Sequence, residues 1–291
     1  MQKYFQLHSP RNEQIPSEHG ITILTYNVRL FNYYQWHTDT SAWQNMVEFI
    51  HSVDPDIVCL QEFVTLPGTD HDLEHLAGKL APLSYSHVFY TNRVKNKLNF
   101  GMAIFSRYPI VFKENIGFRE SINGSMYSDI AAGSDTFRVY NCHLQSVRLG
   151  KDYNNLLDSL IFNYSDKQLG ELREISLRMK GAYIRRAEQA DILSESIASS
   201  PYPVVVCGDL NDTPLSYAYR TLSNDLNDAF ITSGKGTGNT FRGYLPSVRI
   251  DYVLYGPFFE AISYDTYKIN WSDHFPVKAT FKLGKKANSS D

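Results

Sequence analysis

The chain is poor in several things. Its three cysteines, Cys59, Cys142 and Cys207, each sit inside an apolar run, and none forms a CxxC pair. That argues against a disulfide framework and against a cysteine-based zinc site; all three read as small buried hydrophobes. No stretch of about 18 apolar residues occurs, so nothing in the sequence reads as a membrane-spanning helix. Neither charge dominates: 28 basic residues face 31 acidic ones, for a net charge of −3. A whole-molecule field that would gather polyanions is missing, so nucleic-acid binding would rest on a local groove and a few phosphate contacts, weak at physiological salt. No internal repeat or low-complexity block is present.

The opening stretch MQKYFQLHSPRNEQIPSEHG is polar and lacks a signal-peptide core. Residues 1–20 read as a flexible lead, or as the stub of a longer chain, and residues 284–291 as a tail. Between them, 21–283 is expected to form one domain, with a helical segment at about 147–200. The expected state is a monomer in the cytoplasm, with a truncated membrane-anchored or exported form as the alternative.

What is abundant is apolar and aromatic surface, 43% and 14% of 291 residues, enough for a large core. Residues 41–53 place Trp43, Met46, Val47, Ile50 and Val53 at helical spacing, and 72–80 predicts a short helix. Strands are predicted at 21–28, within 54–62 after a turn and ending in Glu62, at 85–90 and at 101–112. Two more over 126–146 are joined at Gly133-Ser134-Asp135. In the 147–200 segment Leu169, Leu172, Ile175, Met179, Ala182, Ala190 and Leu193 fall near one side of a helix. The strand PVVVCGDL at 203–210, a helix in PLSYAYRTL and late strands near 248–255, 259–269 and 277–283 complete the pattern. Helices mixed with neighbouring hairpin-like strands predict an α/β sandwich with mixed sheets rather than a purely parallel one.

VVVC runs straight into Gly208-Asp209-Leu210-Asn211-Asp212, so an apolar strand ends in a cluster of oxygen donors. Others recur along the chain: Asn27 and Glu62 end strands, His143 stands near the end of one, Asp251 sits in VRIDYVLY, and Asp273 with His274 stands just before the last strand. Hard divalent cations take carboxylate, amide and water oxygens, which Glu62, Asn27 and Asp273 can supply. A phosphate ester under attack gathers charge on its oxygens, which His143, His274 and Asn211 can stabilise. Asp209 can accept the proton of an attacking water. Asp251 can hold His274 protonated and oriented. Each feature alone has an ordinary reading, as a turn, a cap or a surface pair. Six in one chain are harder to assign to coincidence.

In this order, TYN (25–27), QE (61–62), HLQS (143–146), GDLN (208–211), IDY (250–252) and SDH (272–274), the set resembles the endonuclease/exonuclease/phosphatase superfamily. DNase I-like nucleases, abasic-site endonucleases, deadenylases, neutral sphingomyelinases, inositol 5-phosphatases and tyrosyl-DNA phosphodiesterases belong to it. GMAIFSRYPI (101–110) resembles its central strand. The resemblance spans about 21–283. It implies a four-layer α/β/β/α sandwich with the site at one edge of two packed sheets, and phosphoester hydrolysis with Mg²⁺, or Mn²⁺ in its place. Carried over by position, Glu62 is the principal metal carboxylate, supported by Asn27 and Asp273. Asp209 activates the nucleophile, with Asn211 beside it on the phosphate. His274 stabilises the transition state with Asp251 as its partner, and His143 is a second phosphate-contacting histidine.

The expected substrate is a phosphodiester, a nucleic acid among the candidates. Three alternatives stay open: a phosphomonoesterase on inositol or sugar phosphates, a sphingomyelinase-like phospholipid diesterase, and a catalytically silent binding module. SVRIDYVL around Asp251 departs from the inositol 5-phosphatase pattern, and His143 departs from the abasic-site endonucleases, which place a tyrosine there. Candidate substrate contacts are Tyr33, Tyr34 and Trp36, which can stack on bases or cover a headgroup, and Arg93 and Lys95 with Lys97, which can meet phosphates. Packing under a loop and a solvated hairpin tip are the respective ordinary readings.

Overall fold

The first strand, β1 (Gly20–Asn27), turns Ile21 and Ile23 to one face and Leu24 and Tyr26 to the other, all of them buried. A strand covered on both faces needs a layer on each side. The computed structural model describes residues 5–6, 20–35, 39–94, 97–147, 166–242 and 247–284, and it supplies those layers.

After β1 come α1 (Ala42–Val53), β2 (Ile57–Thr65), α2 (Leu73–Lys79), β3 (Tyr85–Val94), β4 (Leu98–Ser106), β5 (Ile110–Gly117), β6 (Gly124–Ala132) and β7 (Asp135–His143). The long helix α3 (Asp166–Ala198) leads to β8 (Val204–Asp209), α4 (Tyr217–Leu222), β9 (Asn227–Asp228), α5 (Ala229–Ser233), β10 (Asp251–Tyr255), β11 (Phe259–Thr266) and β12 (Val277–Leu283). Two six-stranded sheets result, in the orders β11-β12-β1-β2-β4-β3 and β5-β6-β7-β8-β10-β9. Pairs β1/β2 and β7/β8 are parallel and the remaining pairs antiparallel, so both sheets are mixed.

Three apolar layers hold the sandwich. Between the sheets, Ile23, Ile57, Cys59 and Ile104 meet Phe137, Val139, Cys207 and Val253. Outside the first sheet, Trp43, Met46 and Ile50 of α1 cover Leu24, Val58 and Phe105. Outside the second, Ala190 and Leu193 of α3 and Tyr219 and Leu222 of α4 cover Tyr140, Cys142 and Val206. Each such side chain, fully buried, contributes about 1.5–3 kcal/mol. The architecture is the α/β/β/α sandwich expected, and all three cysteines are free and buried.

Several expectations need correcting. Residues 101–112 are not one strand: β4 pairs with β2 and β3, while β5 pairs with β6 in the other sheet. Pro109, which offers no N–H, marks the switch. β4 lies next to the edge strand β3 rather than at the sheet's centre. β2 does not end in Glu62 but continues to Thr65, with a register shift between Leu60 and Phe63. The first late strand begins only at Asp251, and the second stops at Thr266. The helix predicted in PLSYAYRTL starts after Ser216, whose hydroxyl caps it by accepting from Tyr219 N–H at 3.1 Å. The stripe read along 169–193 is buried only toward its end. Ala182, Ala190 and Leu193 are covered, Leu172, Ile175 and Met179 are half-buried, and Leu169 lies outside the described side chains.

One buried polar contact predicts a pH response. His87 on β3 is 5% exposed; its Nδ1 lies 3.0 Å from Ser128 Oγ and its Nε2 3.0 Å from Asn115 Oδ1. An amide oxygen only accepts, so Nε2 carries the proton when the ring is neutral. Burial pushes its pKa from 6.5 down to about 4, against the opposing bond to Asn115. A histidine with a lowered folded pKa stabilises the fold above its unfolded pKa, and that contribution is lost as pH falls. From pH 6.5 toward 4 stability should therefore drop by up to about 1.4 kcal/mol per pH unit. Thermal melts across that range should slope less in His87→Gln. An unchanged slope would show that other groups set the acid response.

Candidate active site

Strand register gathers the oxygen donors. His143, Asp209 and Asp251 are direct neighbours across β7, β8 and β10. In the other sheet Asn27 ends β1 opposite Gln61 of β2, and Glu62 follows. Glu62 has φ 48°, in the left-handed region, where the β2 register shifts. Bulges re-aim a side chain in this way. Below this edge a buried polar ladder joins the sheets: Gln61 Nε2 donates to Asn141 Oδ1 at 2.7 Å, and Asn141 Nδ2 donates to the Leu60 and Ala103 carbonyls at 2.9 Å. Gly208, with φ 129°, lets β8 approach β7 just before Asp209. A Cβ there would fall 2.0 Å from the Cys142 carbonyl oxygen.

The contacts centre on Asp209, which is 1% exposed. Its Oδ1 accepts from Asn211 N–H at 2.8 Å. Its Oδ2 accepts from Asn27 Nδ2 at 3.1 Å and Asn211 Nδ2 at 3.2 Å. The same Oδ2 lies 3.7 Å from Nε2 of both His143 and His274. His274 Nδ1 faces Asp251, 2.9 Å from Oδ2 and 3.1 Å from Oδ1. Glu62 Oε1 accepts from Asn27 Nδ2 at 3.3 Å and lies 3.8 Å from His143 Nε2. Asp273 sits at the rim, its Oδ2 3.2 Å from Arg29 Nη1. All eight residues expected to form the site, Asn27, Glu62, His143, Asp209, Asn211, Asp251, Asp273 and His274, thus meet at one edge of the sandwich.

Charge there is unbalanced. Burial raises the Glu62 carboxyl above its ordinary range, against the nearby His274, and pushes Asp209 up to about 7, with His274 opposing and Asp251 adding. Burial alone would lower His274, but the Asp251 and Asp209 carboxylates override it and raise the imidazole to about 10. Four carboxylates, Glu62, Asp209, Asp251 and Asp273, face the cationic Arg29 and His274, so negative charge is in excess. An all-oxygen donor set with surplus negative charge fits a hard divalent cation. Asp209, Asp251 and His274 also bring ligand atoms within 4.8 Å of one another. There, however, both Asp251 oxygens are already engaged by His274 Nδ1. Glu62, which accepts from the Asn27 amide and approaches His143, stands clear of that pair and is the carboxylate better placed to hold a cation.

The expected substrate contacts scatter more. Tyr33 and Tyr34 are 40% and 55% exposed, and their rings meet edge to face at 5.2 Å just beyond β1. Arg93 lies near the end of β3 and stacks over Tyr90 at 5.3 Å. Trp36 and Lys95 fall outside the described residues. Sequence reading missed a left-handed turn: Arg29, Leu30, Phe31 and Asn32 have φ of 44°, 53°, 51° and 59°. Such a conformation costs about 1–2 kcal/mol per residue. Phe31 packing on Trp43 and Phe63, the Asn32 bond to the Asp39 carbonyl and the Arg29–Asp273 pair oppose that cost. TYNVRLFN signals it only weakly, because none of the four residues is glycine and Asn32 alone is of a type that visits this region readily. Also missed was Ser272, whose hydroxyl donates to the Asn27 carbonyl at 2.8 Å and accepts from His274 N–H at 3.1 Å.

A sequence profile of the Endonuclease/Exonuclease/phosphatase family matches residues 24–274. The chain belongs to this family, whose members are in general phosphoester hydrolases that depend on divalent metal. No curated protein matches it by sequence. Among solved structures it is similar to an endonuclease/exonuclease/phosphatase from Beutenbergia cavernae, at 17% identity and a TM-score of 0.65, over 91% of this chain and 72% of that one. It is also similar to the human Nocturnin catalytic domain with bound sulfate, at 18% identity and 0.62, over 91% and 94%. A third similar structure is a humanized D. rerio TDP2, at 15% identity and 0.62, over 91% and 99%. These likenesses establish a shared fold. Among the described residues, no helix is long and apolar enough to cross a membrane.

Proposed function

We propose that the protein is a Mg²⁺-dependent phosphodiesterase that attacks phosphorus with water. The observation that carries this reading is the placement of Asp209, buried between two histidine Nε2 atoms and two asparagine amides, beside Glu62. Glu62, with Asn27 and Asp273, is the set that would hold the cation. When bound, the cation supplies charge neutralisation at the phosphoryl oxygens and at the leaving oxygen.

Asp209 orients the attacking water and takes its proton as the new P–O bond forms and the ester P–O bond breaks. Its raised pKa suits a base that works near neutrality. His274, kept cationic by Asp251, donates to the oxygen on which charge collects. Asn211 and His143 hold the remaining phosphoryl oxygens. Asn211 is fixed for this by its own bonds to Asp209 and to the Leu144 carbonyl at 3.0 Å.

Bis-p-nitrophenyl phosphate, DNA, poly(A), sphingomyelin and inositol phosphates, each with Mg²⁺, form the decisive panel. Hydrolysis of the generic diester is expected, lost in EDTA and restored by Mg²⁺ or Mn²⁺. Full activity in EDTA, or turnover with Zn²⁺ alone, would sink the reading. Activity confined to phosphomonoesters would replace it.

A further inference from the structure

Asp251 and His274 meet from different sheets. Asp251 opens β10, and His274 lies in the loop ahead of β12. Their contact therefore depends on how these two segments are held against each other. Thr240, 0% exposed, is bonded to both. Its Oγ1 accepts two successive backbone N–H groups, from Ile250 at 3.1 Å and from Asp251 at 3.0 Å. Its carbonyl accepts from Phe275 N–H at 2.6 Å, and its own N–H donates to the Val248 carbonyl at 3.0 Å. The next two residues continue the clip. The Phe241 ring lies 4.9 Å from the His274 imidazole at 56°, and Arg242 N–H donates to the Asp273 carbonyl at 2.8 Å.

Among the described residues, Phe241 N–H also donates to the Val248 carbonyl at 2.9 Å, while other ties of the two segments lead elsewhere. Behind β10, Arg249 Nη1 donates to Asp228 at 2.7 Å and Tyr252 OH donates to the Arg249 carbonyl at 2.9 Å. The His274 loop is fastened through Ser272 to the end of β1. These bonds fix each segment to its own surroundings. Thr240 links one to the other, at the residue that carries the carboxylate and at the residue after the histidine.

We propose that Thr240 is a positioning residue for the hydrolysis argued above, its hydroxyl oxygen setting the Asp251 carboxylate against His274 Nδ1. An acceptor shared by consecutive N–H groups fixes both the depth and the direction of the chain there. The β-branched side chain, stiff at χ1, keeps that oxygen in one place. This rests on the proposed function, so its test needs a readout that does not require turnover.

Thr240→Val keeps the shape and removes the acceptor; Thr240→Ser keeps the acceptor. In the full-length protein, Thr240→Val is expected to lower kcat on bis-p-nitrophenyl phosphate by about 10²-fold, the effect of a misplaced catalytic group. KM and the Mg²⁺ half-saturation point should stay within about twofold. The low-field proton resonance of His274 Nδ1–H, identified by its loss in His274→Gln, should shift or disappear. Thr240→Ser should restore both kcat and the resonance. A Val variant that keeps kcat and the resonance and only melts earlier would reduce Thr240 to a structural staple, and a Ser variant as poor as Val would overturn the role of the oxygen. Should Thr240→Val not fold, Thr240→Cys retains a weaker acceptor in the same place. It is expected to show intermediate kcat, and full activity would overturn the proposal. If the wild type hydrolyses nothing, the proposed function fails, while the resonance comparison still decides Thr240.

Discussion

Asparagine in place of Asp209 is expected to abolish hydrolysis while making the metal-free protein more heat-stable. The catalytic side follows from position. The carboxylate is the acceptor for the water's proton and the anion facing two histidines. Loss of a general base costs about 10²–10⁴ in rate. An amide NH₂ there would also point a donor at Asn27, Asn211 or a histidine. The stability side follows from pKa. Burial first, then Asp251, raise the Asp209 carboxyl from 3.8 to about 7, against the nearby His274. A carboxyl raised in the fold favours folding in its protonated form. Above its unfolded pKa the buried charge is penalised, increasingly so up to the folded pKa. A neutral amide escapes that penalty, so Tm at neutral pH in EDTA should rise by a few °C, roughly what 1–2 kcal/mol produces in a chain of this size. Melts and single-turnover rates on wild type and Asp209→Asn check both halves. A variant that keeps activity within tenfold would remove Asp209 from the centre of the mechanism, and a Tm that falls would overturn the stability half alone.

How much of this was legible beforehand depends on the reach of the signal. Asp209 and His143 could be read because each stands at or near the end of an apolar run, and Asp251 and His274 because they sit in or just ahead of a late strand. Their meeting could not be read from the chain, since His274 contacts Asp251 only through the packing of two sheets. Family resemblance supplied that step. The bulge at Glu62 was invisible: the apolar run continues through Phe63 and Val64, and a one-residue shift leaves no mark on composition. The sheet switch at Pro109 was hidden by the unbroken strand-like pattern on both sides of it. Thr240 carried no signal, being an ordinary residue in NTFRG whose importance lies in partners ten and eleven positions away. β9 and α5 are two and five residues long, too short for any periodicity to register.

Exchanging Glu62 and Asp251 for their amides should produce two different defects. Glu62→Gln keeps the shape and removes a hard anionic ligand. Activity should fall and partly recover at high Mg²⁺, because what is lost is cation binding. Asp251→Asn should leave the Mg²⁺ titration nearly unchanged. Its damage belongs to the catalytic step, on the order of 10²–10³ in kcat for one preorganised contact. The pH profile separates the two further. Burial lowers the His274 pKa, and it stands near 10 only because Asp251 and Asp209 override that effect. Without the Asp251 charge the imidazole should lose its proton at lower pH, and the alkaline limb of the rate profile should move down with it. Glu62→Gln leaves the Asp251–His274 contact intact, so its alkaline limb should move much less. A purely structural Asp251, tied into its strand through backbone bonds, would instead show a lower Tm with kcat and profile preserved. Mg²⁺ titration, pH profile and Tm measured on both variants discriminate these outcomes. Rescue of Asp251→Asn by Mg²⁺, with none for Glu62→Gln, would mean that the two carboxylates hold the opposite roles.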